Sequence, residues 1–129
     1  MKIINKYILE KLKLNKNIKL PYNYYPQDYD ELRSLIEKLL KERGKDADLN
    51  DIDISDITDM SGLFTNLDPH NIDISEWDVS NVTNMVSMFY NCENFNSDLN
   101  NWDVSKVTNM RHMFAGCDSL KNKPSWYNE

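Results

Sequence analysis

The side chains of this chain that could do chemistry are two histidines, two cysteines and a recurring set of aspartates. Asp51-Ile52-Asp53-Ile54-Ser55-Asp56 opens like a calcium-binding loop. Such a loop needs Gly at its sixth position and Glu at its twelfth, where this chain has Asp56 and Gly62. Asp53, Asp78 and Asp103 recur at one spacing; they could share a cation, or each could accept backbone N–H bonds within its own turn. The second reading is preferred. His70 stands beside Pro69, and His112 lies between Met110 and Met113, pointing outward; neither has a Cys or His at ligand spacing. Cys92 and Cys117 are within disulfide reach if units stack, but the preferred reading is two reduced thiols in a core column where Leu67 fills the same slot. Gly44, Gly62 and Gly116 are too sparse for a phosphate-binding loop. The expectation is a chain without catalytic residue, metal or cofactor.

What must position these residues is a repeat. Trp77-Asp78-Val79-Ser80-Asn81-Val82-Thr83-Asn84-Met85 is rewritten as Trp102-Asp103-Val104-Ser105-Lys106-Val107-Thr108-Asn109-Met110, and the match runs on through Cys92 and Cys117 at a constant offset of 25 residues. A weaker copy, Ile52 to Leu67, lies one period upstream. Fixed periods of roughly 20 to 50 residues mark stacked-repeat architectures. Trp77 to Val82 alternates apolar and polar residues, which predicts a short strand. Thr83 then reads as an N-cap, and Met85, Met88, Phe89 and Cys92 fall on one face of a short helical turn. The predicted fold class is an α/β solenoid, a short leucine-rich-repeat-like array of parallel strands and short helices with an N-terminal helical cap. Its core columns are Trp77, Met85, Met88, Phe89 and Cys92, stacked on Trp102, Met110, Met113, Phe114 and Cys117.

Three segments follow. Residues 1–20 form a basic arm, with Ile3, Ile4, Tyr7, Ile8 and Leu12 at helical spacing among the lysines. Residues 21–48 form a capping segment. Within it Asp28 and Glu31 make a capping box, Leu32, Leu35, Ile36, Leu39 and Leu40 line one face, and Gly44 stops the helix. Residues 49–129 form three coils, closed by a C-terminal cap in which Pro124, Trp126 and Tyr127 lie across the last coil. The array is read as complete.

Charge divides the chain more sharply than its net −6 conveys. Residues 1–20 hold six Lys against Glu10 alone, whereas Asp46 to Ser105 hold thirteen Asp or Glu and no Lys or Arg. An acidic array repels phosphate backbones, so the repeats are not expected to bind nucleic acid. No apolar run is long enough to span a bilayer, and the opening has no signal-peptide pattern. Lys2, Lys6, Lys11, Lys13 and Lys16 are the candidate binding residues of the arm. They would engage either the chain's own acidic repeats or an acidic partner.

The motif W-D-V-S-N-V-T-N-M-x-x-M-F-x-x-C-x-x-F-N-x-D-L resembles the repeat of the BspA-type leucine-rich-repeat surface proteins, also seen in mycoplasma lipoproteins, over about Leu49 to Tyr127. The opening, Met1 to Asn17, is similar to openings of proteins from large bacteriophages of gut bacteria. The resemblance implies a non-catalytic module for adhesion or protein contact. This chain departs from that family in its few repeats and lack of an export signal, which favours bacterial cytoplasm or a phage virion over the cell surface. The function expected is a non-catalytic protein-interaction or structural module, with a bacteriophage virion or host-interaction component, and so an assembly component, as its setting. A bacterial adhesion module is the alternative, and a small hydrolase or metal-dependent enzyme is the rival of another class.

Overall fold

A computed structural model describes residues 21–128, together with Leu9, Glu10 and Lys13. The order along the chain is an extended entry segment, one helix, then stacked repeats. Helix α1 spans Tyr29–Arg43. Asp28 starts it by accepting the Glu31 N–H at 2.9 Å, and Glu31 reaches back to the Gln27 N–H at 2.7 Å. One of the helix's orphan donors, the Glu31 N–H, is thereby met, together with the N–H just ahead of the cap. Leu32, Leu35, Ile36, Leu39 and Leu40 are buried along one face. Gly44 ends the helix at φ 91°, ψ 177°, a region nearly reserved to glycine, while its N–H bonds the Leu40 carbonyl at 2.9 Å. Arg43 then ties the helix end to the array, pairing both guanidinium nitrogens with Asp51 at 2.8 and 2.9 Å.

The expected α/β solenoid does not form. Among the described residues there is one complete helix, α1, and no strand or sheet; only isolated parallel bridges join Tyr24 to Ile52, Asp48 to Asp73, Asp59 to Asn84 and Asn84 to Asn109. The expected strand at Trp77–Val82 is a string of tight turns, with Val82 N–H bonded to Val79 C=O at 3.0 Å. The expected helical turn from Met85 to Cys92 is one as well. Met88, Tyr90 and Cys92 each donate to the carbonyl three residues back. Ser87 and Asn91 take φ of 56° and 58°, as do His112 and Gly116 at 57° and 77° in the next repeat. They stand at the third position of their turns, where type II geometry requires positive φ. A left-handed residue at every fourth position stops a helix from propagating. Nor is Thr83 an N-cap: its N–H and Oγ1 both reach the Thr58 carbonyl, at 2.8 and 3.2 Å.

The repeats nonetheless stack in register. Phe89 lies between Phe64 and Phe114 at ring separations of 5.1 and 5.7 Å, both pairs nearly parallel. Trp77, Trp102 and Trp126 form a second column, 6.4 and 6.3 Å apart. Each indole donates to a carbonyl one layer earlier, Leu49, Ile74 and Leu99 in turn. Burial of one such ring is worth ~1.5–3 kcal/mol.

Along the Met-to-Cys stretch, backbone bonding between repeats runs one way, whereas elsewhere the N–H groups of Thr83, Asn96, Thr108 and Ser119 donate back to the preceding repeat. The N–H groups of Met85, Ser87, Phe89 and Asn91 donate to the carbonyls of Asn109, Arg111, Met113 and Ala115, at 2.7 to 3.0 Å. Met60, Gly62 and Phe64 donate in the same manner to Asn84, Val86 and Met88. The first repeat is left with a row of carbonyls facing α1, and α1 answers it. Tyr29 Oη donates to Ser61 at 2.7 Å, and Arg33 donates to Gly62, Leu63 and Thr65 at 3.1, 2.8 and 2.8 Å. The helix thus supplies the donors that a preceding repeat would have supplied.

Two outcomes follow. Phe89→Ala should lower the unfolding free energy by ~3–5 kcal/mol in a urea titration, as expected for a ring buried between two others. Arg33→Met keeps the apolar stem but removes the donors, and should lose ~1.5–3 kcal/mol in the same titration. A loss under ~0.5 kcal/mol would mean that water serves those carbonyls equally well.

Candidate functional site

The polar surface of the array is built from its turns. An Asp that opens a turn accepts the N–H of the residue two further on, an Asx turn. Asp53 takes the Ser55 N–H at 3.0 Å and its hydroxyl at 2.6 Å; Asp78 takes those of Ser80 at 3.1 and 2.5 Å. Asp103 takes the Ser105 N–H at 3.0 Å. A parallel column consists of Asp48, Asp73 and Asp98, holding the N–H groups of Asn50, Ser75 and Asn100. Each carboxylate therefore has one oxygen fixed by its own backbone. The Ser105 hydroxyl and N–H hold Asp103 below the usual carboxylate range, and the Asn100 N–H does the same for Asp98. Asp73 is lowered by the side chains of Asn50 and Ser75. Among the described residues, no three His, Cys, Asp or Glu side chains are grouped to hold a metal ion.

The remaining sequence-nominated residues do not converge. His70 Nε2 lies 3.2 Å from Asp68, and His112 is exposed in a later repeat. Cys92 and Cys117 are buried free thiols whose sulfurs donate to the Phe64 and Phe89 carbonyls, at 3.5 and 3.0 Å. Burial pushes their pKa values up to about 12 and about 11. Trp77, Met85, Met88, Phe89, Trp102, Met113 and Phe114 are buried with them, whereas Met110 is only partly covered. Of the arm lysines, Lys2, Lys6, Lys11 and Lys16 lie outside the described residues. Lys13 is exposed, its Nζ 3.5 Å from Glu10.

Two features escaped sequence reasoning. One is a third turn column, Asp59, Asn84 and Asn109, which accepts the N–H groups of Ser61, Val86 and Arg111. The constant offset was its signal, masked by the change from Asp to Asn. The other is the far edge of the last repeat. Val104, Val107 and Met110 are partly exposed there, although their counterparts Val79, Val82 and Met85 are buried. Trp126 caps Trp102, and Tyr127 meets Phe114 edge-on at 5.0 Å, so the tail covers the Trp and Phe columns only. A groove lined by Val107, Thr108, Asn109, Met110, Arg111 and Asn128 stays open.

Residues 32–129 match the family described as Mycoplasma protein of unknown function, DUF285. No curated protein and no solved structure matches the chain. Among the described residues no helix is long and apolar enough to cross a membrane.

Thiols held protonated in the core should be inert while the chain is folded. At pH 8 neither Cys92 nor Cys117 should react with a thiol-selective disulfide reagent over the time in which both react in denaturant. Prompt labelling of one thiol in the native protein would show that its repeat opens readily.

Proposed function

We propose that this chain, which belongs to the DUF285 family of Mycoplasma proteins of unknown function, is a non-catalytic module that binds another protein. The observation that supports this reading most is the pair of aspartate columns, Asp48-Asp73-Asp98 and Asp53-Asp78-Asp103. Their carboxylates are anchored to turns of the backbone and repeat with the stack, so they present negative charge at fixed intervals on a rigid surface. A basic partner would lose little side-chain entropy in meeting groups already held in place. Such a surface also speeds encounter with a cationic partner.

Catalysis asks for the opposite arrangement, with acid, base or nucleophile converging on one pocket. Here the histidines stand in different repeats and the thiols are committed to core carbonyls. The BspA-like motif makes adhesion-type contact one setting for the partner, and the phage-like opening makes a virion another. Recovery of a surface protein or of a structural virion protein would tell them apart.

Asp53→Asn, Asp78→Asn and Asp103→Asn combined keep the turn acceptor and remove the charge. The triple variant should melt within a few degrees of the natural protein, roughly what a change below ~1 kcal/mol produces. A protein recovered from lysate by the natural chain should be lost by the variant and regained as ionic strength falls. Equal recovery by both would remove the columns from the interface. Turnover of an ester or phosphoester by the purified chain would overturn the non-catalytic reading itself.

A further inference from the structure

We propose that the open edge of the last repeat, around Met110, Arg111 and His112, is a docking site for the acidic side chains of a partner's extended peptide segment. The proposal rests on the protein-binding reading and adds a second surface, opposite in sign to the aspartate columns.

The backbone of the Met-to-Phe stretch has a polarity. In each inner repeat the first, third and fifth residues of the Met-to-Phe stretch donate N–H bonds onward, as Met85, Ser87 and Phe89 do. The counterparts in the last repeat are Met110, His112 and Phe114. Among the described residues, their N–H groups have no protein acceptor. Their own carbonyls are already used, accepting from Met113, Ala115 and Cys117 within local turns. The carbonyls of Asn109, Arg111 and Met113 accept from the repeat before. Along these residues the edge therefore offers donors without acceptors.

That one-sidedness selects the occupant. An ordinary extended strand brings an N–H with every C=O, so its own donors would find no acceptor along this edge. A second copy meeting edge to edge has the same defect. A second copy stacking head to tail would need the carbonyl edge of the first repeat, which Tyr29 and Arg33 already occupy. A carboxylate brings acceptors alone, and bonds from N–H groups to carboxylates are among the stronger ones. Charge agrees. Residues 106–128 carry Lys106, Arg111, Lys121 and Lys123 against Asp118, reversing the sign of the array before them. Arg111 is exposed beside the groove, and Val107 and Met110 give it an apolar floor.

The test uses the full chain, isotope-labelled, and a synthetic peptide alternating glutamate and valine, with a glutamine–valine peptide as control. At low ionic strength the amide resonances of Met110, His112 and Phe114 should shift saturably with the glutamate peptide and stay still with the control. Arg111→Glu, at an exposed position, should leave the melting temperature unchanged and weaken binding by roughly tenfold or more. Shifts confined to residues 1–20, an equal response to the glutamine peptide, or no response would each overturn the proposal. So would concentration-dependent self-association that perturbs the same amides without peptide. A partner that depends on the aspartate columns while these amides stay still would sink the edge proposal and leave the protein-binding reading intact.

Discussion

The register of the repeats depends on a row of hydrogen bonds that points one way along the Met-to-Cys stretch, from an N–H in one repeat to a carbonyl in the next. Because the donors are alternate residues, the remaining N–H groups close turns inside their own repeat. Both sets of backbone groups are satisfied, as buried chain requires. The period is then not free to vary. A one-residue insertion would move the Phe64-Phe89-Phe114 column and the indole contacts out of line together with the bonds.

Burial and hydrogen bonding divide the work. A buried Phe or Trp contributes ~1.5–3 kcal/mol, and a backbone bond nets ~0.5–1.5 kcal/mol after its exchange with water. The columns therefore supply most of the stability, while the bonds determine which residues form columns. The last repeat has the inner repeats' bonds to its predecessor but only part of their burial, since Val104, Val107 and Met110 are half covered. Local opening starts where buried contacts are fewest. The end that carries the proposed acidic-peptide site is thus also the end with the weakest hold on its own core.

Much of this was legible. Helix α1, with its capping residues, buried leucines and terminal glycine, follows from local rules that tertiary contacts do not override, and the offset of 25 residues located the columns. The fold class was not legible, for a definite reason. Apolar residues at Met85, Met88, Phe89 and Cys92 fit a helix and also fit successive turns of three and four residues. Trp77, Val79 and Val82 likewise fit a strand or a tight turn. Positive φ separates these alternatives, and only Gly62, Gly116, Asn66 and Asn91 hinted at it; Ser87 and His112 adopt it because the stack requires it there. Arg33 was invisible as a cap because its carbonyl partners are about thirty residues away.

The feature that defeated the helix and strand assignments is also what gives the array its chemistry. In a helical unit each N–H would return to a carbonyl four residues back, and the ends of the stack would present side chains alone. With left-handed residues spaced through the turns, alternate peptide groups lie along the stack, carbonyls toward α1 and N–H groups toward the last repeat. Along this row the aligned peptide dipoles leave partial negative charge at one end and partial positive charge at the other, as they do in a helix, while the bonds of Thr83, Asn96, Thr108 and Ser119 run the opposite way elsewhere in the stack. The negative end is met by the Arg33 guanidinium, a cation against carbonyls. The positive end adjoins Arg111, which reinforces it instead of neutralising it. One end of the stack is therefore closed electrostatically from within the chain. Among the described residues the other end has no such counterpart.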